Sequence, residues 1–265
     1  MALGASEKAN ILPLAPEGTK PGAAAQITWR TYVNATANAP PTIIVNIDGV
    51  SKVLKPCAAP APEAPIPSAP LPSFDNVTFL RYNDTDVQAN GDTAYLFAPV
   101  KPPQGDTVLV IQGRSPRSPL GDSPSVWPTD DADVRYWSLC NSIMQAPYPV
   151  VVNKAGDVGC RHDSQFQLDE QHKYLAIVGT EAQRDVIQGI PNSTFIPFSV
   201  DYPDTNHGLI FRQMITADGF SEGVKRVPPG SSLDATVAIM GDYYPHASFC
   251  SLSSLKDNGP QACSL

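Results

Sequence analysis

The sequence lacks the marks of three large classes of protein. No stretch approaches the roughly 20 consecutive apolar residues that a membrane-spanning helix needs. No run of lysine or arginine occurs in a chain whose formal net charge is −8, so neither nucleic acid nor an anionic membrane surface is an expected partner. No glycine-rich phosphate loop joins a strand to a helix, so we expect no nucleotide cofactor.

Cysteine is scarce, but its spacing bears on the cellular compartment. The first ten residues lack the charged and apolar blocks of a signal peptide, which fits a cytosolic protein or a mature exported form with an added methionine. The five cysteines form no Cys-x-x-Cys motif. Two local disulfides are expected, with five buried thiols as the alternative; the pairs are Cys140–Cys160 and Cys250–Cys263, which leaves Cys57 over. Disulfides favour a secreted, periplasmic or cell-surface protein.

Proline is abundant, with 28 among 265 residues, about twice the usual share. Because proline breaks helices and keeps strands short, this composition predicts an all-β protein. We expect a single-domain antiparallel β-sandwich or jelly roll with long proline-rich loops and one or two short helices. Residues 1–25 form a predicted extended arm that could join two copies of the chain, and residues 26–265 form the domain, with a proline-rich loop at 56–72.

Period-two patterns and helix signals place the elements along the chain. A helix is predicted over 180–187, with Thr180 as its N-cap, and a second helix over 217–224. Asp48-Gly49 predicts a hairpin turn. The predicted strands are 26–33, 42–47, a short strand through Val53, 77–82, 93–98, 107–112, 133–140, 149–153, 166–168, 173–178, 195–200, 208–214 and 235–240.

The strand over 133–140 carries the most unusual pattern. Alternation places Tyr136 and Ser138 on one face and Arg135 and Trp137 on the other. An arginine beside a tryptophan on an apolar face needs a partner. We favour pairing of Arg135 with a carboxylate that fixes the register over the alternative, in which Arg135 presents its guanidinium to a ligand.

Three histidines lie in polar loops just outside predicted strands: His162, His207 and His246. With Asp163 or Asp242 they have the ligand types of a zinc, iron or manganese site, although their spacing has no signature and surface histidines are the commoner outcome. Calcium at 84–92 is a weaker alternative to a solvated acidic turn.

The runs RYWSLC (135–140) and MGDYYP (240–245), together with Cys250 and the strand over 208–214, resemble a group of exported bacterial proteins of unknown function. The resemblance covers roughly residues 74–250. Residues 90–95 are also similar to β-rich domains of bacterial envelope proteins. These resemblances imply an exported, β-rich protein and carry no activity or catalytic residues.

The sequence therefore predicts an exported or envelope-associated binding module for a carbohydrate or a small anionic molecule. The expected ligand-binding residues are Tyr136, Trp137, His207, Arg212, Asp242 and Tyr243. The alternative is an extracytoplasmic hydrolase or metal-dependent lyase. In that case His162 or Asp163 would be the general base, and Arg135 or Arg212 would hold an anionic intermediate.

Overall fold

A computed structural model describes residues 42–55, 77–82, 92–119, 131–145 and 148–263. The chain divides into two compact units, residues 1–63 and 64–265. The predicted arm, the strand over 26–33, Cys57, the loop at 56–72 and most of the acidic turn at 84–92 lie outside the described residues.

The first unit contributes one described hairpin, formed by β1 (Ile44–Ile47) and β2 (Val50–Val53). Asp48 and Gly49 connect the strands with φ values of 51° and 82°. Positive φ at both central residues is the geometry of a type I′ turn, which matches the twist of the flanking strands. The hairpin prediction is confirmed.

The second unit is a β-sandwich of two four-stranded sheets. Its strands are β3 (Thr93–Val100), β4 (Thr107–Arg114), β5 (Val134–Ile143), β6 (Cys160–His162), β7 (Lys173–Gly179), β8 (Ser193–Pro197), β9 (His207–Thr216) and β10 (His246–Ser251). Sheet I has the order β10-β4-β7-β8, and sheet II has the order β3-β9-β5-β6. The predicted all-β sandwich is confirmed, but β7 and β8 pair in parallel rather than antiparallel.

The parallel pair follows from the helix between its strands. A 3₁₀ turn over Glu181–Gln183 leads into α1 (Arg184–Gln188), and this segment carries the chain from β7 to β8. Parallel strands need such a crossover. Thr180 is the N-cap of this segment, as predicted: its backbone N–H donates a hydrogen bond to the Gln183 side-chain oxygen at 2.9 Å.

Sheet I is buried on both faces, and sheet II contributes to the core with one face. Alternate residues of sheets I and II meet in the main core, which includes Leu109, Ala176, Leu96 and Phe211. The other residues of sheet I, such as Ile177, pack in a second cluster with α1 and with α3 (Leu252–Asn258). The unit therefore stacks sheet II, sheet I and these two helices as successive layers.

Two predicted elements are wrong. Residues 217–223 form turns and bends, and Val224 begins a 3₁₀ turn (Val224–Arg226). The Arg226 guanidinium donates hydrogen bonds to the carbonyls of residues 217, 218 and 220, which are therefore not used in a helix. Residues 235–240 belong to a helix, α2 (Leu233–Met240), rather than to a strand. Its signals are the Ser232 side chain, which caps the N–H of Ala235 at 3.3 Å, and Gly241 with φ of 51° at its end.

Other elements differ from prediction in extent. The strand β10 and the helix α3 were not predicted. The short segments predicted at 77–82, 149–153 and 166–168 make only isolated bridges, such as Leu80 with Phe97. None of the helices in the described ranges is long and apolar enough to cross a membrane.

Both predicted disulfides are present. Cys140–Cys160 joins directly opposed residues of β5 and β6, and Cys250–Cys263 ties β10 to the segment after α3. Closing a loop restricts the unfolded chain, so each bond stabilises a short edge of the sandwich that has few other partners.

A buried tyrosine joins the start of the second unit to its C-terminal part. The Tyr244 hydroxyl accepts a hydrogen bond from the backbone N–H of Phe79 at 2.9 Å and donates one to the Phe79 carbonyl at 3.1 Å. Both residues are buried. One hydroxyl therefore satisfies both backbone groups of a segment that forms no regular strand.

Replacing Tyr244 by phenylalanine is expected to lower the free energy of unfolding by about 2 kcal/mol, because both Phe79 groups stay buried without a partner. The melting temperature should fall by about 6 °C. Thermal unfolding of Tyr244→Phe checks this. Tyr243→Phe is the matched control, because the Tyr243 hydroxyl makes no hydrogen bond within the described residues. Equal losses of unfolding free energy in the two variants would contradict the role given to the Tyr244 hydrogen bonds.

Candidate functional site

The outer face of sheet II brings four polar or aromatic side chains into one row. Tyr95 of β3 is paired with Arg212 of β9, Arg212 with Ser138 of β5, and Ser138 with His162 of β6. Directly paired residues point to the same side of a sheet. We call these residues the Arg212 row; it lies opposite the core, because Leu96, Phe211 and Leu139 alternate with it on three strands.

Arg212 is the positive centre of the row. Its guanidinium carbon lies 5.2 Å from the centre of the Tyr95 ring, within the range of a cation–π contact. Among the described residues, Arg212 has no carboxylate partner, and its Nε atom is buried without a hydrogen bond. A guanidinium with unused donors is able to accept an anion.

Ser138 adds a second unused group. The residue is fully buried, and its Oγ atom has no hydrogen-bond partner in the part of the chain that the structure describes. Leaving a buried hydroxyl unpaired costs about 1–3 kcal/mol. Ser138 therefore lies beneath the other side chains of the row, and its hydroxyl is closed to a ligand on the outer face.

His162 lies at the other end of the row and is held by its own turn. Its Nδ1 atom lies 3.1 Å from Ser164 Oγ and 3.5 Å from Asp163 Oδ1. The His162 backbone N–H donates to the Gln165 side chain at 3.1 Å. With Nδ1 engaged, Nε2 is the ring nitrogen available to a ligand.

Tyr136 completes the site next to His162. The centres of the two rings are 6.4 Å apart, and the ring planes are inclined by 26°. Tyr136 is half-buried. The site thus combines one cation, one buried hydroxyl and an aromatic surface, an arrangement that suits a small anion attached to a ring.

Two predicted site residues from the same strand do not join this face. Trp137 is fully buried in the main core, stacked on Phe166 with ring centres 4.4 Å apart, so the predicted contact between its indole and a ligand does not fit its position. Arg135 is half-buried and makes no ion pair within the described ranges. Arg135 is left out of the pairing between β5 and β9, because Ile215, the residue opposite, has φ of 46° and donates its N–H to the Asp92 carbonyl instead.

His207 is buried between the sheets instead of lying in an open loop. Asn141 donates from Nδ2 to the Pro197 carbonyl at 2.9 Å, which leaves its Oδ1 to accept from His207 Nδ1 at 3.2 Å. Phe198 packs against the imidazole with ring centres 4.9 Å apart. Burial lowers the pKa of His207 from 6.5 to about 4, so the ring is neutral at pH 7.

The remaining predicted site residues lie on other elements. Asp242 and Tyr243 form a 3₁₀ turn after α2, where Tyr243 packs on Phe220 and under Arg114. His246 is exposed at the start of β10 in sheet I. The three histidines proposed as metal ligands are therefore separated, and the described residues contain no cluster of three histidine, cysteine, aspartate or glutamate side chains placed to hold a metal ion.

Lowering the pH should reduce the stability of the protein through the buried imidazole of His207. The pKa of His207 is about 4 when folded and 6.5 ordinarily, so the folded protein binds fewer protons than the unfolded chain between these values. The His207 contribution is complete above pH 6.5 and is lost as pH falls toward 4, by about 3 kcal/mol. Denaturant unfolding of wild type and His207→Gln at several pH values checks this. The variant should lose less stability than the wild type over this window; a curve parallel to that of the wild type would contradict the assignment.

Comparison with known proteins gives no functional lead. No family model and no curated protein matches the sequence. A crystal structure of an uncharacterized protein from Burkholderia cenocepacia has a TM-score of 0.40 at 10% identity, over 67% of this chain and 36% of that one. A protein from Vibrio parahaemolyticus has a TM-score of 0.34 at 15% identity, over 60% and 31%. The chain thus spans about a third of the length of both structures, and the similarity is too remote to indicate what it binds.

Proposed function

We propose that this chain is an exported binding module that holds a small anionic ligand on the Arg212 row. The observation that carries the proposal is the Arg212 guanidinium, which lacks an acidic partner among the described residues and adjoins the unpaired hydroxyl of Ser138. Arginine recognises carboxylates and phosphates through paired, charge-assisted hydrogen bonds. In a chain of net charge −8, such an arginine is a positive group in a predominantly negative electrostatic field.

Export is supported by the two disulfides. Disulfides form and persist in oxidising compartments and are rare where thiols are kept reduced. The resemblance of the RYWSLC and MGDYYP runs to exported bacterial proteins points the same way. A secreted, periplasmic or cell-envelope location is therefore part of the proposal.

A second candidate function, an extracytoplasmic hydrolase, is favoured by one contact. Asp163 Oδ1 lies 3.5 Å from His162 Nδ1, the arrangement by which a carboxylate orients a general base. The Ser138 Oγ makes no hydrogen bond to the imidazole. The Ser164 Oγ does contact the ring, at 3.1 Å, but at the same Nδ1 atom that faces Asp163, so hydroxyl and carboxylate do not lie on opposite nitrogens as in a catalytic triad. Binding therefore accounts for more of the site than catalysis does.

Removing the guanidinium is expected to weaken anion binding strongly. In Arg212→Gln, the affinity for acetate and for phosphate should fall by about 30-fold, because the charge-assisted hydrogen bonds are lost. The measurement is NMR titration of the ¹⁵N-labelled protein with each anion, following the Arg212 Nε–H signal in wild type and the backbone signals around Ser138 in both proteins.

Arg114→Gln is the matched control, because Arg114 lies 5.5 Å over the ring of Tyr243 in a similar stacked pair on sheet I. It should leave the titration unchanged. Anion binding that survives Arg212→Gln would contradict the proposal. Hydrolysis of nitrophenyl acetate that disappears in His162→Gln, but not in Arg114→Gln, would favour the hydrolase instead.

A further inference from the structure

The hydrogen-bonding groups and the aromatic surface of the Arg212 row, together with its charge, indicate a class of ligand. This inference rests on the proposed function. We infer that the ligand is a monocarboxylated sugar, that is, a hexuronate residue. Its carboxylate would bind the guanidinium of Arg212. One face of its ring would lie on Tyr136, and hydroxyl groups at its far end would contact His162 and Asp163.

The charge of the site favours a single negative charge over a phosphate dianion. Arg212 is the one cationic side chain in the row, and its face is shared with the ring of Tyr95. Asp163 lies 3.5 Å from His162 at the opposite end, and its side chain is 10% exposed. A multiply charged group would be repelled by this carboxylate and by the net charge of −8, and a single guanidinium would not offset that repulsion.

The two ends of the row differ in hydrogen-bonding character. The β9 end offers donors, from the Arg212 guanidinium, which has no acceptor. The β6 end offers an acceptor in the Asp163 carboxylate, beside the Nε2 atom of His162. A ligand that matches both ends has a carboxylate on one side and hydroxyl donors on the other.

The middle of the site is apolar and aromatic. Tyr136 lies beside Ser138 on the same face, with its ring inclined by only 26° to that of His162. Strands lie about 4.8 Å apart, so the backbone positions of Arg212 and His162 are separated by about 10 Å. One sugar ring with its substituents fits this span. The apolar C–H face of a pyranose packs well on a tyrosine ring.

The experiment compares four probes by NMR titration and calorimetry: galacturonate, glucuronate, galactose and acetate. The uronates should bind about tenfold tighter than acetate, and galactose should bind more weakly than either uronate because it lacks the carboxylate. In Tyr136→Ala, and in the milder Tyr136→Leu, uronate affinity should fall about tenfold to the acetate level, while acetate affinity stays unchanged. Tyr243→Ala, in the 3₁₀ turn after α2, is the matched control, and near-ultraviolet circular dichroism confirms that each variant is folded.

The outcomes separate the two claims. Equal affinity for uronates and acetate, with no effect of either Tyr136 variant, would overturn the sugar assignment while leaving anion binding through Arg212 intact. No binding of any carboxylate, or binding that Arg212→Gln does not change, would overturn the proposed function together with this inference. Galactose binding as tight as galacturonate binding would show a neutral-sugar site and would overturn both.

Discussion

The contact between Trp137 of sheet II and Tyr174 of sheet I, with ring centres 5.3 Å apart, determines how the rest of the sandwich is arranged. Phe211 and Phe166 pack on the same indole. Such aromatic contacts supply a large share of core stability, enough here to bury the indole N–H without a hydrogen-bond partner among the described residues. Because strand residues alternate, an inward Trp137 places Tyr136 and Ser138 on the outer face. A slip of one residue would exchange the core and the site.

Polar residues in the core restrict that register further. Asn141 of β5 reaches the carbonyl of Pro197 in sheet I and engages His207 of β9. The Gln213 side chain accepts the N–H of Val224 at 2.8 Å. Each of these bonds is available in one alignment of the strands only, since a shifted strand would leave the same groups buried without partners. The polar residues therefore add specificity where apolar packing alone would tolerate alternatives.

The sequence was sufficient to predict what depends on local patterns. Alternation and proline content predicted the sandwich and the faces of Tyr136, Ser138 and Trp137, and the spacing of the cysteines predicted both disulfides. The row itself required the pairing of β9 with both β3 and β5, which no local pattern encodes, so Tyr95 and Arg212 could not be joined to Ser138. The segment ATVAIM (235–240) is predicted as a strand because its β-branched residues favour one, although the capping signal of Ser232 indicates the helix that the structure has. The burial of His207 was likewise invisible, since its partner Asn141 is 66 residues away in the chain.

The two sheets have different roles because their outer faces have different neighbours. The outer face of sheet I is apolar where it lies under α1 and α3, so that part of its surface stabilises the fold. The outer face of sheet II alternates polar and aromatic residues with the core residues of the same strands, and the second apolar cluster has no counterpart on it among the described residues. A cation and a buried hydroxyl contribute little to packing and cost desolvation energy. Under the proposed function, an anion bound to Arg212 would compensate part of that cost, and the sheet behind the residue keeps its backbone fixed before binding.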